Sequence, residues 1–222
     1  MKLKYSILYL NGIRLSQSLV HKMRGYIGNL FSEHDLIHNH DPETGKLIYR
    51  YPLIQFKIIE NIPAIIAVTD RAVKIFNEIF MKLDHIYIEE KHIPVSERDL
   101  HISDVEFGYS KETYMYEFTS PWLGLNQKNF REYKNANKDK QYHILKNTLT
   151  GNILSASKGL DVWLSREERI IVEANLKNNI AILKGKHVYG FTGVFKTNFI
   201  LPDHLGIGKS VSRGYGTVRR VI

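Results

Sequence analysis

One stretch decides the fold: Ile62-Pro-Ala-Ile-Ile-Ala-Val68, an apolar run of strand length, followed by Thr69 and Asp70. A short continuous apolar segment of this kind is typical of a buried strand. Thr69 or Asp70 is suited to cap a helix, and an apolar face then recurs at helical spacing at Val73, Phe76, Ile79 and Phe80. The stretch therefore predicts a strand that runs directly into an amphipathic helix.

The flanking segments extend this unit in both directions. Before it, residues 47–59 are rich in β-forming residues, and Pro52 within them indicates an edge strand or a bulge. After it, residues 86–91 predict a closing strand. Residues 4–10 predict the first strand, and residues 16–31 the first helix, whose apolar stripe is Leu15, Leu19, Met23, Ile27 and Leu30. The order β-α-β-β-α-β predicts a ferredoxin-like domain over residues 1–92.

The second half, residues 93–222, reads as a second α+β domain of less regular pattern. Residues 128–149 predict a basic helical region that Asn135-Ala136-Asn137 divides into two helices. Strands are predicted at 167–176 and 180–183 around a turn at Asn178-Asn179, and again at 187–200. The predicted fold class is therefore α+β, with two tandem ferredoxin-like domains.

Composition limits the function before any motif is considered. The 222 residues include 31 Lys and Arg against 23 Asp and Glu, a formal charge of +8. Such a surplus favours polyanionic partners, above all nucleic acid. The chain has no cysteine, which excludes disulfides, thiolate metal sites and cysteine nucleophiles. No apolar run is long enough for a transmembrane helix, so we expect a soluble, cytoplasmic protein without membrane contact.

A glycine-rich segment near the C-terminus is the most informative motif. Residues 206–222 contain four glycines and four basic residues and no acidic residue. Glycines let a backbone approach a ligand closely and present N–H groups to phosphate oxygens. The spacing fits neither a P-loop nor a dinucleotide-binding fingerprint. A glycine-rich hairpin with a solvated basic face is the alternative.

This segment resembles the C-terminal signature of the CRISPR repeat-processing endoribonucleases of the RAMP (repeat-associated) superfamily. The resemblance is carried by Phe195-Lys-Thr-Asn-Phe-Ile-Leu-Pro202 and by Gly206-Ile-Gly-Lys-Ser-Val-Ser-Arg-Gly-Tyr-Gly-Thr-Val218. It implies a pair of ferredoxin-like domains and metal-free cleavage of CRISPR precursor RNA within its repeats. It also implies that the loop binds RNA, through Gly206, Gly208, Lys209, Ser210, Ser212, Arg213, Gly214 and Tyr215. The implied partners are CRISPR repeat RNA and other subunits of a CRISPR interference complex, with the protein itself a monomer or homodimer.

The resemblance also places a catalytic histidine in the loop after the first helix. That loop contains His38 and His40, with Tyr26 upstream and Lys46 downstream, and His40 is the preferred general acid or base. Histidine suits proton transfer because its pKa of about 6.5 lies near neutrality. Against these roles, Tyr26 also fits the apolar stripe of the helix, and Lys46 and both histidines also fit solvated loop residues. A metal site at His38, His40 and Asp41 is a further alternative.

Other functions remain open at this stage. A non-catalytic RNA-binding RAMP subunit would share the glycine-rich loop without needing a histidine after the first helix. A generic basic RNA-binding protein would show no preference for repeat RNA. The basic stretch from Lys128 to Lys146, with Phe130, Tyr133 and Tyr142 interleaved, is either a second RNA surface or a solvated helical face.

Overall fold

The computed structural model describes residues 1–32, 34–38, 50–183 and 185–221. The helices are α1 (Val20–Leu30), α2 (Asp35–His38), α3 (Asp70–Lys82), α4 (Gln127–Asn135) and α5 (Lys138–Gly159). The strands are β1 (Lys2–Asn11), β2 (Ile54–Ile59), β3 (Ile62–Val68), β4 (His85–Ile88), β5 (Lys91–Pro94), β6 (Glu97–Glu106), β7 (Gly108–Trp122), β8 (Val172–Leu183), β9 (Lys186–Ile200) and β10 (Val218–Val221). Short 3₁₀ turns lie at Gln17–Leu19 and Val211–Arg213.

The N-terminal unit comprises residues 2–105 and 211–214. Its sheet has the strand order β2-β3-β1-β6, which is the order of a ferredoxin-like fold. Antiparallel pairing sets Leu8 opposite Ile65 and Ile65 opposite Phe56, and these three side chains are fully buried in a core with Val20 of α1 and Phe76 of α3. The edge position expected for the strand that follows Pro52 is confirmed in β2.

The last strand of this sheet is not the one that the sequence predicts. Residues 86–91 were expected to close the sheet, whereas β4 and β5 form a separate hairpin with Ile86 opposite Ile93. The reason is local: Glu89 and Glu90 both have positive φ, at 52° and 65°, so the chain reverses there in a two-residue turn. The closing position is taken by β6, so the unit extends to residue 105 where the sequence predicts a boundary at residue 92.

The C-terminal unit comprises residue 1 and residues 106–210 and 215–222. Its sheet order, β10-β7-β9-β8, repeats that of the first unit, so the prediction of two tandem ferredoxin-like domains is confirmed. An aromatic core lies on β7 and β9, where Phe118 stacks on Trp122 with ring centroids 5.7 Å apart and contacts Phe195 at 5.0 Å. All three rings are buried.

The helices of this unit begin where asparagine side chains cap them. The Oδ1 atoms of Asn126 and Asn137 accept hydrogen bonds from the backbone N–H groups of Asn129 and Lys140, at 2.8 and 2.9 Å. The predicted break into two helices is therefore confirmed. The turn predicted at Asn178-Asn179 is wrong, because β8 continues through both residues and pairs Asn178 with Phe191. No helix among the described residues is both long and apolar enough to cross a membrane.

Candidate active site and glycine-rich loop

The segment after α1 is anchored up to the position of the first candidate histidine. Leu36 and Ile37 of α2 are buried in the N-terminal core, at 1% and 2% exposure. Arg24 of α1 donates a hydrogen bond from Nη2 to the carbonyl oxygen of Ile37 at 3.3 Å. His38 is the last residue of α2, so its backbone position is held by these contacts. His40, Asp41 and Lys46 lie outside the described residues.

Tyr26 takes part in a chain of polar contacts that sequence reasoning missed. Its hydroxyl lies 2.7 Å from Nε2 of His85 on β4, and Nδ1 of the same ring lies 2.5 Å from Oδ1 of Asp84. His92 of β5 stacks on His85 with ring centroids 4.3 Å apart. Burial and the charge of Asp84 raise the pKa of Tyr26, and the hydrogen bond from His85 lowers the pKa of Asp84. The half-buried Tyr26 is thus the end of a tyrosine–histidine–aspartate chain.

Such a chain has defined proton positions. In a neutral His85 ring whose Nδ1–H donates to the Asp84 carboxylate, Nε2 is the acceptor and the Tyr26 hydroxyl donates to it. Tyr26 and His85 are 59 residues apart, so no local pattern links them. The only sequence signal was a pair of histidines, His85 and His92, on either side of a hairpin turn.

The glycine-rich loop has a backbone that demands glycine at specific positions. Gly208, Gly214 and Gly216 have φ values of +100°, +85° and +62°. At Gly216 a Cβ atom would lie 1.9 Å from the carbonyl oxygen of Ile207, and at Gly214 it would lie 2.6 Å from Nε2 of Gln17. Gly206 forms an isolated β-bridge with Thr217. Gly208, Gly214 and Gly216 are therefore required by the loop's own packing, whatever it binds.

Tyr215, expected to bind RNA, lies in the core of the C-terminal unit. It is 3% exposed, packs with Leu123 and Ala181, and donates a hydrogen bond from its hydroxyl to the carbonyl oxygen of Ile182. In this arrangement its ring anchors the loop against β8 and offers no face to a base.

The polar residues of the loop are divided between the two units. Ser210 and Ser212 are half-buried, and Lys209 donates from Nζ to the carbonyl oxygen of Leu125 at 2.9 Å. In the N-terminal unit the half-buried Arg213 lies near Arg24, whose pKa is lowered by burial and by the charge of Arg213. Nε of Arg24 is buried without a hydrogen-bond partner, and within the described residues neither guanidinium pairs with a carboxylate. Two neighbouring cations without a counter-ion are suited to bind an anion.

The aromatic residues of the basic helical region have different environments. Tyr133 is buried and donates to Oδ1 of Asn178 at 2.8 Å, so it belongs to the core. Phe130 is half-buried, with its ring centroid 4.8 Å from that of Tyr189, and Tyr142 is 39% exposed. One of the charges, Lys140, pairs with Glu132 at 3.0 Å. This region therefore contributes Tyr133 to the core and Tyr142 to the surface.

Comparison with known proteins assigns both units of the chain to one family. Residues 1–106 match the model of the Cas6b N-terminal domain, and residues 108–221 match that of the Cas6b C-terminal domain. A crystal structure of Cas6b is 35% identical to this chain over the whole of both chains, with a TM-score of 0.92. A second crystal structure, named as the CRISPR RNA processing endoribonuclease Cas6b, is 33% identical over the whole of both chains, with a TM-score of 0.81.

Two further proteins extend the comparison. An uncharacterized protein of Methanocaldococcus jannaschii is 43% identical over 119 residues, which are 52% of this chain and 78% of that protein. Csf5, named as a type IV Cas6 crRNA endonuclease, is 11% identical over the whole of both chains with a TM-score of 0.63, a likeness that shows the fold alone. Since the family models together span both units, the chain belongs to the Cas6b family.

Proposed function

We propose that this protein is a metal-independent endoribonuclease that cleaves CRISPR precursor RNA within its repeats and so releases guide RNAs. The observation that carries the proposal is the match of both units to the Cas6b family, which makes the chain a CRISPR-associated endoribonuclease. The RNA substrate agrees with the formal charge of +8 and with Arg24 and Arg213, which pair with no carboxylate among the described residues.

The proposed reaction uses a nucleophile from the RNA itself. A base takes the proton of a ribose 2′-hydroxyl, and O2′ attacks the adjacent phosphorus while the bond from phosphorus to O5′ breaks. An acid returns a proton to O5′. The products carry a 2′,3′-cyclic phosphate and a 5′-hydroxyl. All electrons of the new bond come from the substrate, so the step is balanced without a metal or an external nucleophile.

The proposed proton carriers are in the N-terminal unit. His40 serves as general acid or base, with His38 as the second candidate and Tyr26 as a partner. The contact between Tyr26 and His85 supports the last role, because a hydroxyl with a fixed acceptor has a defined orientation. Lys46 is proposed to stabilise charge on the phosphorane.

Arg24 and Arg213 are proposed to contact phosphates of the bound RNA. Arg24 supports this role by its position, since it holds the carbonyl group of the residue next to His38. Burial and, after it, repulsion from Arg213 lower the pKa of Arg24, and an anion between the two cations would relieve that repulsion. The backbone of the glycine-rich loop and the side chains of Lys209, Ser210 and Ser212 are also proposed to contact RNA.

The test is cleavage of repeat RNA in excess EDTA by the wild type and by His38→Ala and His40→Ala. We expect a single cut that persists in EDTA and is lost in one or both variants. His143→Ala, an exposed histidine of α5, is the matched control and should cleave normally. Tight binding of repeat RNA with no cut by the wild type would instead identify a non-catalytic RAMP subunit.

A further inference from the structure

A half-open pocket of about 340 Å³ lies in the C-terminal unit beside the glycine-rich loop. Its apolar lining comes from Leu123, which follows β7, from Phe130 on α4, and from Val188 and Tyr189 on β9. The rings of Phe130 and Tyr189 are inclined at 49° to each other, and Tyr189 is 46% exposed. The pocket thus offers aromatic surface to a ligand from solvent, and its volume is within the range of small-molecule sites, about 300–1,000 Å³.

The pocket also has a cationic side chain in its lining. Lys209 lines it and also lines an adjoining depression of about 650 Å³, together with Lys128 and Arg131 of α4. Burial lowers the pKa of Lys209, and its ammonium donates one N–H to the carbonyl oxygen of Leu125. Two N–H groups of that ammonium are left for a ligand. Among the described residues, none that lines either cavity is acidic.

This combination specifies the chemistry of the ligand. Aromatic faces bind the flat face of a base, and adjacent cations bind the phosphate that is joined to it. The side-chain amide of Gln127, which lines both cavities, provides both donors and an acceptor for a base edge. A paired base has its edge and both faces occupied, so the ligand that fits is an unpaired nucleotide.

We propose that this pocket binds one unpaired nucleotide of the RNA, with its base against Phe130 and Tyr189 and its phosphate at Lys209, Lys128 and Arg131. The inference rests on the proposed function, because it takes the ligand to be part of the repeat RNA. It joins two sequence features that were considered separately, the glycine-rich loop and the basic helical region, in a single site.

The test combines a protein variant with single abasic substitutions in the RNA. Affinity is measured for the wild type, Tyr189→Ala, Tyr189→Phe and the control Lys74→Gln, an exposed lysine of α3 outside both cavities. We expect Tyr189→Ala to weaken binding about tenfold through loss of base stacking, and the other two variants to bind almost as the wild type. At one position of the repeat, an abasic nucleotide should weaken wild-type binding by the same factor as Tyr189→Ala does. The same abasic nucleotide should not weaken binding by Tyr189→Ala any further.

Two results would overturn the subsite. In the first, Tyr189→Ala binds repeat RNA as tightly as the wild type. In the second, every abasic substitution that weakens wild-type binding weakens Tyr189→Ala by the same factor. Either result, obtained with a wild type that cleaves repeat RNA, contradicts the proposed subsite but not the proposed function. A wild type that neither binds nor cleaves repeat RNA contradicts the proposed function and the subsite together.

Discussion

Lys57 illustrates how a single buried charge controls stability. It lies on β2 with 0% exposure, and Nζ has no hydrogen-bond partner among the described residues. Burial lowers the pKa of this ammonium to about 7. An unfolded lysine stays protonated up to about pH 10.4, so between pH 7 and that value the unfolded state binds more protons. Stability should therefore rise with pH across this interval. Below pH 7 the lysine is charged in both states, and the full cost of burying its charge opposes folding.

Replacing the charge should remove this dependence. We expect Lys57→Met to be more stable than the wild type at pH 6 and to lose the part of the pH slope due to Lys57, which amounts to at most about 1.4 kcal/mol per pH unit. Urea unfolding at pH 6, 7.5 and 9 measures the effect. Lys74→Met, at an exposed position of α3, is the control and should keep the wild-type slope. Parallel pH profiles for the wild type and Lys57→Met would refute this account of Lys57.

Arg213 provides a second prediction at the same scale. If it contacts a phosphate, Arg213→Gln should weaken the binding of repeat RNA and reduce the slope of log affinity against log salt concentration by about 0.7–1. Titrations at several KCl concentrations give both quantities. Arg166→Gln, an exposed arginine of the loop before β8, should change neither. An unchanged slope for Arg213→Gln would mean that no phosphate is bound there.

Among the elements, the glycine-rich loop should tolerate the replacement of a glycine by alanine far less well than the long helix α5. Gly216 has positive φ and a carbonyl oxygen 1.9 Å from its would-be Cβ, so Gly216→Ala should displace the loop and lower both melting temperature and cleavage. Gly151 of α5 has open space around it, and Gly151→Ala should stabilise the protein by about 1 kcal/mol. Thermal unfolding and cleavage rates compare the two. Equal effects of the two substitutions would contradict the loop geometry.

Elements could be predicted where a local pattern determines them. The strand at residues 62–68 has the predicted bounds because its apolar run is continuous, and the break between α4 and α5 lies at the predicted Asn135-Ala136-Asn137. The β4–β5 hairpin was missed because Glu89-Glu90 carries none of the usual glycine or asparagine signals of a tight turn. Asn178-Asn179 carries such a signal, but pairing with β9 prevails over it.

The candidate site was harder to predict than the fold. The glycine-rich loop is visible because its glycines are close in sequence, and the family resemblance is confirmed. The contact between Tyr26 and His85 depends on how α1 packs near β4. Arg24 and Arg213 are neighbours only because the chain returns to α1 after nearly 190 residues. Such contacts arise from tertiary packing, which periodicity and spacing do not encode.

For the whole molecule, the central claim is that the RNA supplies its own nucleophile to this basic protein. The most direct measurement is cleavage of a repeat RNA in which the nucleotide on the 5′ side of the mapped cut carries a 2′-deoxyribose. The account predicts unchanged binding with no cleavage at that bond, and a 2′,3′-cyclic phosphate on the product of the unmodified RNA. Cleavage of the deoxy-substituted RNA at the same bond would show that water or another external nucleophile attacks the phosphorus, and would contradict the account.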